Sequence, residues 1–266
     1  MIQIVRNPLE WQRQINTHRQ AGWSIGFVPT MGALHEGHLS LIHRSKKEND
    51  ITCASIFVNP AQFENPEDLN NYPATRDEDI VALEHTGVDM LLYPENGSMY
   101  PDNYQYKVLE QELSQKYCGE FRPGHFDGVL TVVLKLLNLT HANRAYFGEK
   151  DWQQLVLIRR MTEAFFLETE IVPCSTAREA SGLAMSSRNR RLTPEEQKTA
   201  PWLYKTLISG KTLSEMRTVL KEKGFEVEYI EEFSDSDSEW GKQFKKRLLA
   251  AVYLGNVRLI DNVERK

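Results

Sequence analysis

The chain is short of cysteine, glycine and proline, has no long apolar run, and carries no excess of positive charge. Each shortage closes a class of function. Three cysteines in 266 residues, Cys53, Cys118 and Cys174, are odd in number, far apart and without a CxxC pair. They frame neither a disulfide scaffold nor a zinc knuckle and read as free thiols. With 15 Gly and 11 Pro the composition is neither fibrous nor of low complexity. The most apolar stretch, Val129 to Leu139, is interrupted by Thr131, Lys135 and Asn138, and it falls short of the roughly 18 apolar residues of a membrane span. Lys and Arg number 32 against 37 Asp and Glu, a net charge of −5, so a large DNA or RNA footprint is disfavoured. The opening Met1-Ile2-Gln3-Ile4-Val5-Arg6 lacks an apolar signal core and a small-residue cleavage site, which gives the expectation of a cytoplasmic protein with neither membrane nor nucleic-acid partners.

What is present is an ordinary globular composition, 41% hydrophobic and 26% charged, long enough for one or two domains at about 150 residues each. Up to about residue 175, short β-branched runs alternate with longer amphipathic runs. Strands are predicted at Ser24 to Val28, Ile51 to Val58, Val88 to Tyr93, Arg144 to Phe147 and Glu170 to Cys174. Helices are predicted at Leu39 to Lys47, Asp77 to His85, Val129 to Leu139 and Trp152 to Phe166. This order predicts an α/β fold with a doubly wound parallel sheet, whose ligands sit in the loops at the carboxyl ends of the strands. Beyond Arg191 the pattern changes: Pro194 to Ser209 and Leu213 to Lys223 read as helices, Phe225 to Phe233 and Arg247 to Leu254 as strands, and Ser234 to Ser238 as a solvated loop. The predicted organisation is therefore a domain over 1–176, a hinge and loop over 177–191, and a smaller α+β domain over 192–266.

After the first of these strands comes Met31-Gly32-Ala33-Leu34-His35-Glu36-Gly37-His38, and then a helix. Free N–H groups and the positive end of the helix dipole favour an anion there, and Gly32 and Gly37 permit close backbone approach. Two histidines so placed serve either as extra donors to a phosphate or as the capped start of a helix. They lack a third ligand and the HExxH spacing of a zinc site. Asp77-Glu78-Asp79 could hold magnesium, but acids in a first helical turn are more simply explained by the helix dipole.

The run Pro29-Thr30-Met31-Gly32-Ala33-Leu34-His35-Glu36-Gly37-His38 resembles the signature of the pantoate-β-alanine ligases, within the HxGH group of nucleotide-binding folds. Four further motifs follow in order: Phe57-Val58-Asn59-Pro60-Ala61-Gln62-Phe63, Phe121-Arg122-Pro123-Gly124-His125-Phe126, Phe147-Gly148-Glu149-Lys150-Asp151-Trp152-Gln153-Gln154, and Gly182-Leu183-Ala184-Met185-Ser186-Ser187-Arg188-Asn189. The likeness returns at Val257-Arg258-Leu259-Ile260-Asp261-Asn262 and is weakest over 204–245. Ser181 stands where the family usually has Asp, and Ala177 where a larger branched residue is usual.

The resemblance implies a Rossmann-like first domain, a C-terminal lid and a homodimer that joins pantoate to β-alanine with ATP through a pantoyl adenylate. Magnesium would be carried mainly by the ATP, with no metal site of the protein's own. It implies that His35 and His38 contact the phosphates, with His38 nearer the reacting α-phosphate, that Lys150 holds them as a point charge, and that Ser186, Ser187 and Arg188 close over them. Met31 to His38, Gly148, Glu149, Lys150, Asp151, Ala177 and Met185 complete the expected ATP site, with Asp151 and Gly148 at the ribose. Gln62 and Gln154 are the expected pantoate ligands, and Asn59 and Arg122 shape that pocket. Arg190 and Arg191 are read as solvated. A nucleotidylyltransferase of the same fold and a non-catalytic nucleotide sensor are the rival readings, against which stand the paired glutamines and the intact His38, Lys150 and Arg188.

Overall fold

A six-stranded sheet in the order β1-β4-β3-β2-β5-β6, parallel at every pairing, organises the first part of the chain. The structure is a computed structural model that describes residues 2–64, 66–70, 72, 73, 75–234 and 246–265. Elements follow one another as β1 (Gln3–Val5), α1 (Pro8–Gln20), β2 (Ile25–Thr30), α2 (Glu36–Glu48), β3 (Ile51–Ile56), α3 (Pro66–Asn70), α4 (Arg76–His85), β4 (Met90–Leu92), α5 (Asn96–Met99), α6 (Cys118–Phe121), α7 (His125–Thr140), β5 (Arg144–Gly148), α8 (Trp152–Ala164) and β6 (Glu170–Cys174). From β2 the chain steps outward through β3 and β4, then returns to the other side of β2 for β5 and β6. That reversal is the switch point at which doubly wound sheets open a ligand crevice.

Central strand β3, Ile-Thr-Cys-Ala-Ser-Ile, is buried at every position, as expected of a parallel strand covered on both faces. Val28, Ala54, Leu91 and Tyr146 of the sheet pack with Ile42 of α2 and Leu83 of α4 in one cluster. Trp11 of α1 is fully buried, and its Nε1 donates to Thr140 Oγ1 of α7 at 3.1 Å. Each large apolar side chain so removed from water contributes roughly 1.5–3 kcal/mol. Helix α7 is buried along most of its length, which accounts for its standing out as the most apolar stretch. A Cβ on its Gly128 would meet the Ala61 carbonyl oxygen at 2.2 Å, so only glycine lets the helix lie against the turn that carries Gln62. The three cysteines are buried thiols, with no disulfide among the described residues.

The chain divides into two units. One comprises the chain up to Glu149 with Gln153–Ser175, the other Lys150–Trp152 with the chain from Thr176 onward. The second unit contains α9 (Pro194–Thr199), α10 (Trp202–Leu207), α11 (Leu213–Glu222) and an antiparallel sheet of β7 (Glu226–Phe233), β8 (Arg247–Leu254) and β9 (Val257–Glu264). Its core gathers Leu203, Leu207, Met216, Leu220, Ile230, Ala250, Val252 and Leu259. Pro194 to Ser209, expected as one helix, is two: Pro201 has no N–H to continue the ladder, and the chain breaks between Thr199 and Trp202. Strands β1 and β9 and helix α1 add to the predicted elements. Of Ser234 to Ser238, residues 235–238 lie outside the described residues.

Candidate active site

The loop after β2 is built around a buried carboxylate. Thr30 Oγ1 donates to the Ser55 carbonyl at 2.7 Å and accepts from Gly32 N–H at 3.2 Å. The chain then turns through left-handed backbone, with φ of 81° at Gly32 and 50° at Ala33. At Gly32 a side chain would also meet Asp79 Oδ2, 2.9 Å from an ideal Cβ. Asp79 is 3% exposed. Its Oδ1 accepts from Leu34 N–H at 2.7 Å, and its Oδ2 accepts from Ala33 N–H at 2.9 Å and from the Thr75 hydroxyl at 3.1 Å. The expectation that Asp77, Glu78 and Asp79 all serve the helix dipole is thus corrected. Asp77 and Glu78 are exposed in the first turn of α4, as that reading requires. Asp79 turns inward because two backbone donors from the preceding βα loop point at it.

The loop delivers two imidazoles to the start of α2. His35 is the N-cap, and its Nδ1 accepts from Gly37 N–H at 3.1 Å. That bond assigns the proton of a neutral ring to Nε2. The His35 and His38 rings lie 4.2 Å apart between centroids, tilted by 38°. Capping and phosphate recognition, alternatives for the histidines on sequence grounds, are compatible at His35, because capping engages only one of its two ring nitrogens. Met31, Gly37 and His38 are partly exposed, Glu36 is exposed, and Gly32, Ala33 and Leu34 are buried as the floor of the loop.

Behind β3, Gln62 belongs to a chain of amides with fixed orientation. Tyr100 donates its hydroxyl to Asn59 Oδ1 at 2.9 Å, and Ala61 N–H reaches the same oxygen at 3.3 Å. Burial pushes the Tyr100 phenol up, which keeps it a donor at neutral pH. The Asn59 Nδ2 group therefore donates, to the Gly128 carbonyl at 3.1 Å and to Gln62 Oε1 at 3.2 Å. Gln62 Nε2 is left directed at the Met31 sulfur, 2.9 Å away. Sulfur is a weak acceptor, so this N–H₂ group is available for a stronger one. Asn59, fully buried and bonded through both amide atoms, is placed to orient Gln62. His125 Nδ1 donates to the Gln62 carbonyl at 2.8 Å, which makes its Nε2 the acceptor for Arg122 Nη1 at 2.9 Å. Arg122 also pairs with Glu64 at 3.0 Å. A small, partly open pocket is lined by Ala61, Tyr100, Tyr104, Gly124, Asp127 and Gly128, among others, and by none of the expected site residues.

At the end of β5, Gly148 has open space where a side chain would project. On α8 the two neighbouring glutamines differ. Gln153 is buried, donating to the Leu113 and Lys116 carbonyls at 2.7 Å each and accepting from Cys118 N–H at 3.1 Å, whereas Gln154 is half-buried. In the second unit, Lys150 Nζ lies 3.7 Å from Asp151 Oδ2. Met185 N–H bonds to the Ala177 carbonyl at 2.9 Å, and Ser186 caps the short helix Ser187–Arg191 by accepting from Arg188 N–H at 3.2 Å. Ser181 Oγ accepts from Leu183 N–H at 3.3 Å, a bond that an Asp carboxylate could also make. Ser186, Ser187 and Arg188 are half-buried, while Arg190 and Arg191 are exposed. Sequence reasoning had no means to find Asp79 or Tyr100, whose partners are remote. It passed over His125 although the motif containing it was in view.

Comparison with known proteins agrees with the geometry. The sequence pattern of the Pantoate-beta-alanine ligase family matches residues 3–264. The pantothenate synthetase of Bdellovibrio bacteriovorus is 49% identical over 264 residues, covering 99% of this chain and 100% of the relative. That of Legionella pneumophila is 48% identical, covering 98% and 99%. Among solved structures, the pantoate-beta-alanine ligase of Francisella tularensis, complexed with beta-gamma ATP and beta-alanine, superposes with a TM-score of 0.89 at 40% identity, covering 99% of this chain and 98% of that one. The pantothenate synthetase of Thermus thermophilus gives 0.87 at 38% identity, with 99% of each chain covered. On its full-length match, its sheet order and its paired histidines, the chain belongs to the pantoate-β-alanine ligase family.

Proposed function

We propose that this chain carries out its family's reaction in two steps. A pantoate carboxylate oxygen attacks the α-phosphorus of ATP and expels pyrophosphate. The β-alanine amine then attacks the pantoyl carbonyl carbon, loses a proton, and expels AMP. The chain is in this sense an ATP-dependent acid-amine ligase that forms pantothenate. The observation that carries the reading is the 31–38 loop, in which two imidazoles and the N-terminus of α2 are brought together on a backbone clamped by a buried carboxylate. Such a cluster holds donors for anionic phosphate, which suits a step whose difficulty is charge.

His38 then serves the α-phosphate and His35 its neighbour, with Met31 to Leu34, Glu36 and Gly37 contributing the loop. Lys150, Ser186, Ser187 and Arg188 supply further donors to the triphosphate, and Arg188 adds a planar fork for two oxygens. Asp151 and Gly148, with Glu149, Ala177 and Met185, serve the nucleoside. Gln62, presenting N–H₂, and Gln154 bind pantoate, with Arg122 beside them and Asn59 acting through Gln62. Magnesium enters as the MgATP complex, because Asp79 already spends both oxygens on protein donors. The family resemblance also supports a homodimer working in the cytoplasm. The deciding experiment is pantoate-dependent exchange of labelled pyrophosphate into ATP without β-alanine. Exchange is expected, and it should fall by roughly a hundredfold in His38→Ala, the scale for loss of one preorganised donor. Formation of ADP and phosphate would refute the adenylate route.

A further inference from the structure

None of the residues of the Val257 to Asn262 run belongs to the ligand set above. Its last two residues are buried polar groups on β9: Asp261 and Asn262 are each 3% exposed. Asn262 Nδ2 donates to the Lys150 carbonyl at 2.9 Å, while its Oδ1 accepts from Arg247 Nη1 at 2.5 Å. The Arg247 guanidinium in turn lies 3.7 Å from the centre of the Trp152 ring. One residue back, Asp261 Oδ1 accepts from Asn262 N–H at 2.7 Å. Its carboxylate also pairs with both Nη atoms of Arg178, at 2.6 and 2.9 Å. Arg178 donates to the Gly182 carbonyl at 3.2 Å and lies over the Tyr204 ring at 3.8 Å. Lys150–Trp152 group with the second unit, apart from their neighbours in the chain on either side.

Burying the Asp261 carboxylate and the Arg247 guanidinium, with Arg178 half-buried beside them, is a poor way to gain stability compared with apolar packing, but a hydrogen-bonded network of this kind fixes one geometry. An amide meets both demands at position 262. It gives a donor to the Lys150 carbonyl and an acceptor to Arg247, which neither a carboxylate nor an aliphatic side chain does. We propose that Asn262 is a positioning residue for Lys150: it anchors the lysine backbone to the same rigid strand that, through Asp261 and Arg178, holds the 178–182 turn preceding Ser186–Arg188. The lysine and the serine-arginine segment are thereby set in one frame, and Asn262 itself touches no substrate. This inference rests on the reading of Lys150 as a phosphate-binding residue.

The test is a double-mutant cycle on the full chain, read by pantoate-dependent pyrophosphate exchange. Asn262→Asp conserves size but sets an oxygen against the Lys150 carbonyl. It should lower exchange by roughly tenfold to a hundredfold, as misplacement of a reacting group by about an ångström does. In the Lys150→Ala background the same substitution should change exchange by less than about twofold, since effects routed through one group do not multiply. Where circular dichroism shows Asn262→Asp unfolded, Asn262→Ala takes its place in the cycle. Equal factors in both backgrounds, or a folded Asn262 variant with parental exchange, overturn the positioning role while leaving Lys150 its function. Parental exchange in Lys150→Ala removes the lysine's phosphate role, and the inference with it.

Discussion

Asp79→Asn tests whether a buried carboxylate, and not the histidines alone, builds the phosphate loop. In the parent, Asp79 takes hydrogen bonds from Ala33 N–H, Leu34 N–H and the Thr75 hydroxyl. The amide keeps one acceptor oxygen and turns an N–H₂ toward a backbone N–H, so at least one buried donor loses its partner. That costs about 1–3 kcal/mol, and the remaining bond loses its charge assistance, worth about 1 kcal/mol more. If the loop stays in place, the sum of about 2–4 kcal/mol appears as a melting temperature lower by roughly 4–16 °C, at about 2–4 °C per kcal/mol for a chain of this size. If the loop instead shifts to reach water, stability is spared and the loss moves to pyrophosphate exchange. His35 and His38 follow the backbone, and a displacement of about an ångström costs roughly a hundredfold. Calorimetric melting and exchange measured on the same sample capture both routes. Thr75→Val, which removes only the hydroxyl bond, should cost about 1 kcal/mol or less and leave exchange nearly intact. An Asp79→Asn protein with parental melting and parental exchange would refute the clamp.

Two further expectations follow from the chemistry of the ligand groups. Gln62→Ala and Gln154→Ala should weaken pantoate binding by roughly tenfold or more while leaving ATP affinity within about twofold, since an unpaired polar group costs about 1–3 kcal/mol only toward the ligand that needs it; titration calorimetry with each ligand separates the two, and loss of ATP affinity alone would misplace that glutamine. Arg188→Lys keeps the charge but loses the fork, so turnover should fall more than ATP affinity, and amides over 182–192 should gain hydrogen-exchange protection with ATP in the parent; equal protection with and without ATP, together with parental turnover in the lysine variant, would make the segment static.

Much of the sheet was legible in the sequence because parallel strands buried on both faces read as short apolar runs. The run at Glu170 to Cys174 was predicted with the ends that β6 has. Elements that escaped did so for reasons of length or polarity. Strand β1 has three residues, too few to show a period. Helix α1 buries only Pro8, Trp11 and Ile15, and its best marker is the Asn7 side chain capping Leu9 and Glu10 N–H ahead of Pro8. The break at Pro201 was written in the sequence but outweighed by apolar spacing on both sides.

The candidate site divides along the same line. Groups proposed to meet the ligand directly sit in contiguous motifs, because a strand end, a turn and a helix start are adjacent in sequence, and His35 and His38 are read together for that reason. Groups that hold those motifs in place are contributed by other elements. Asp79 reaches the loop from 46 and 45 residues along the chain, and Asn262 reaches Lys150 from 112 residues away. No local pattern distinguishes Asp79 from the exposed Asp77 two positions earlier, since both suit the first turn of a helix. What separates them is which side of α4 faces the loop, a property of packing. Local spacing thus determines what chemistry the loop can offer, and long-range packing determines whether its donors are held where the phosphate requires them. Substitutions in the first class should abolish a contact, whereas those in the second should change turnover through residues they never replace.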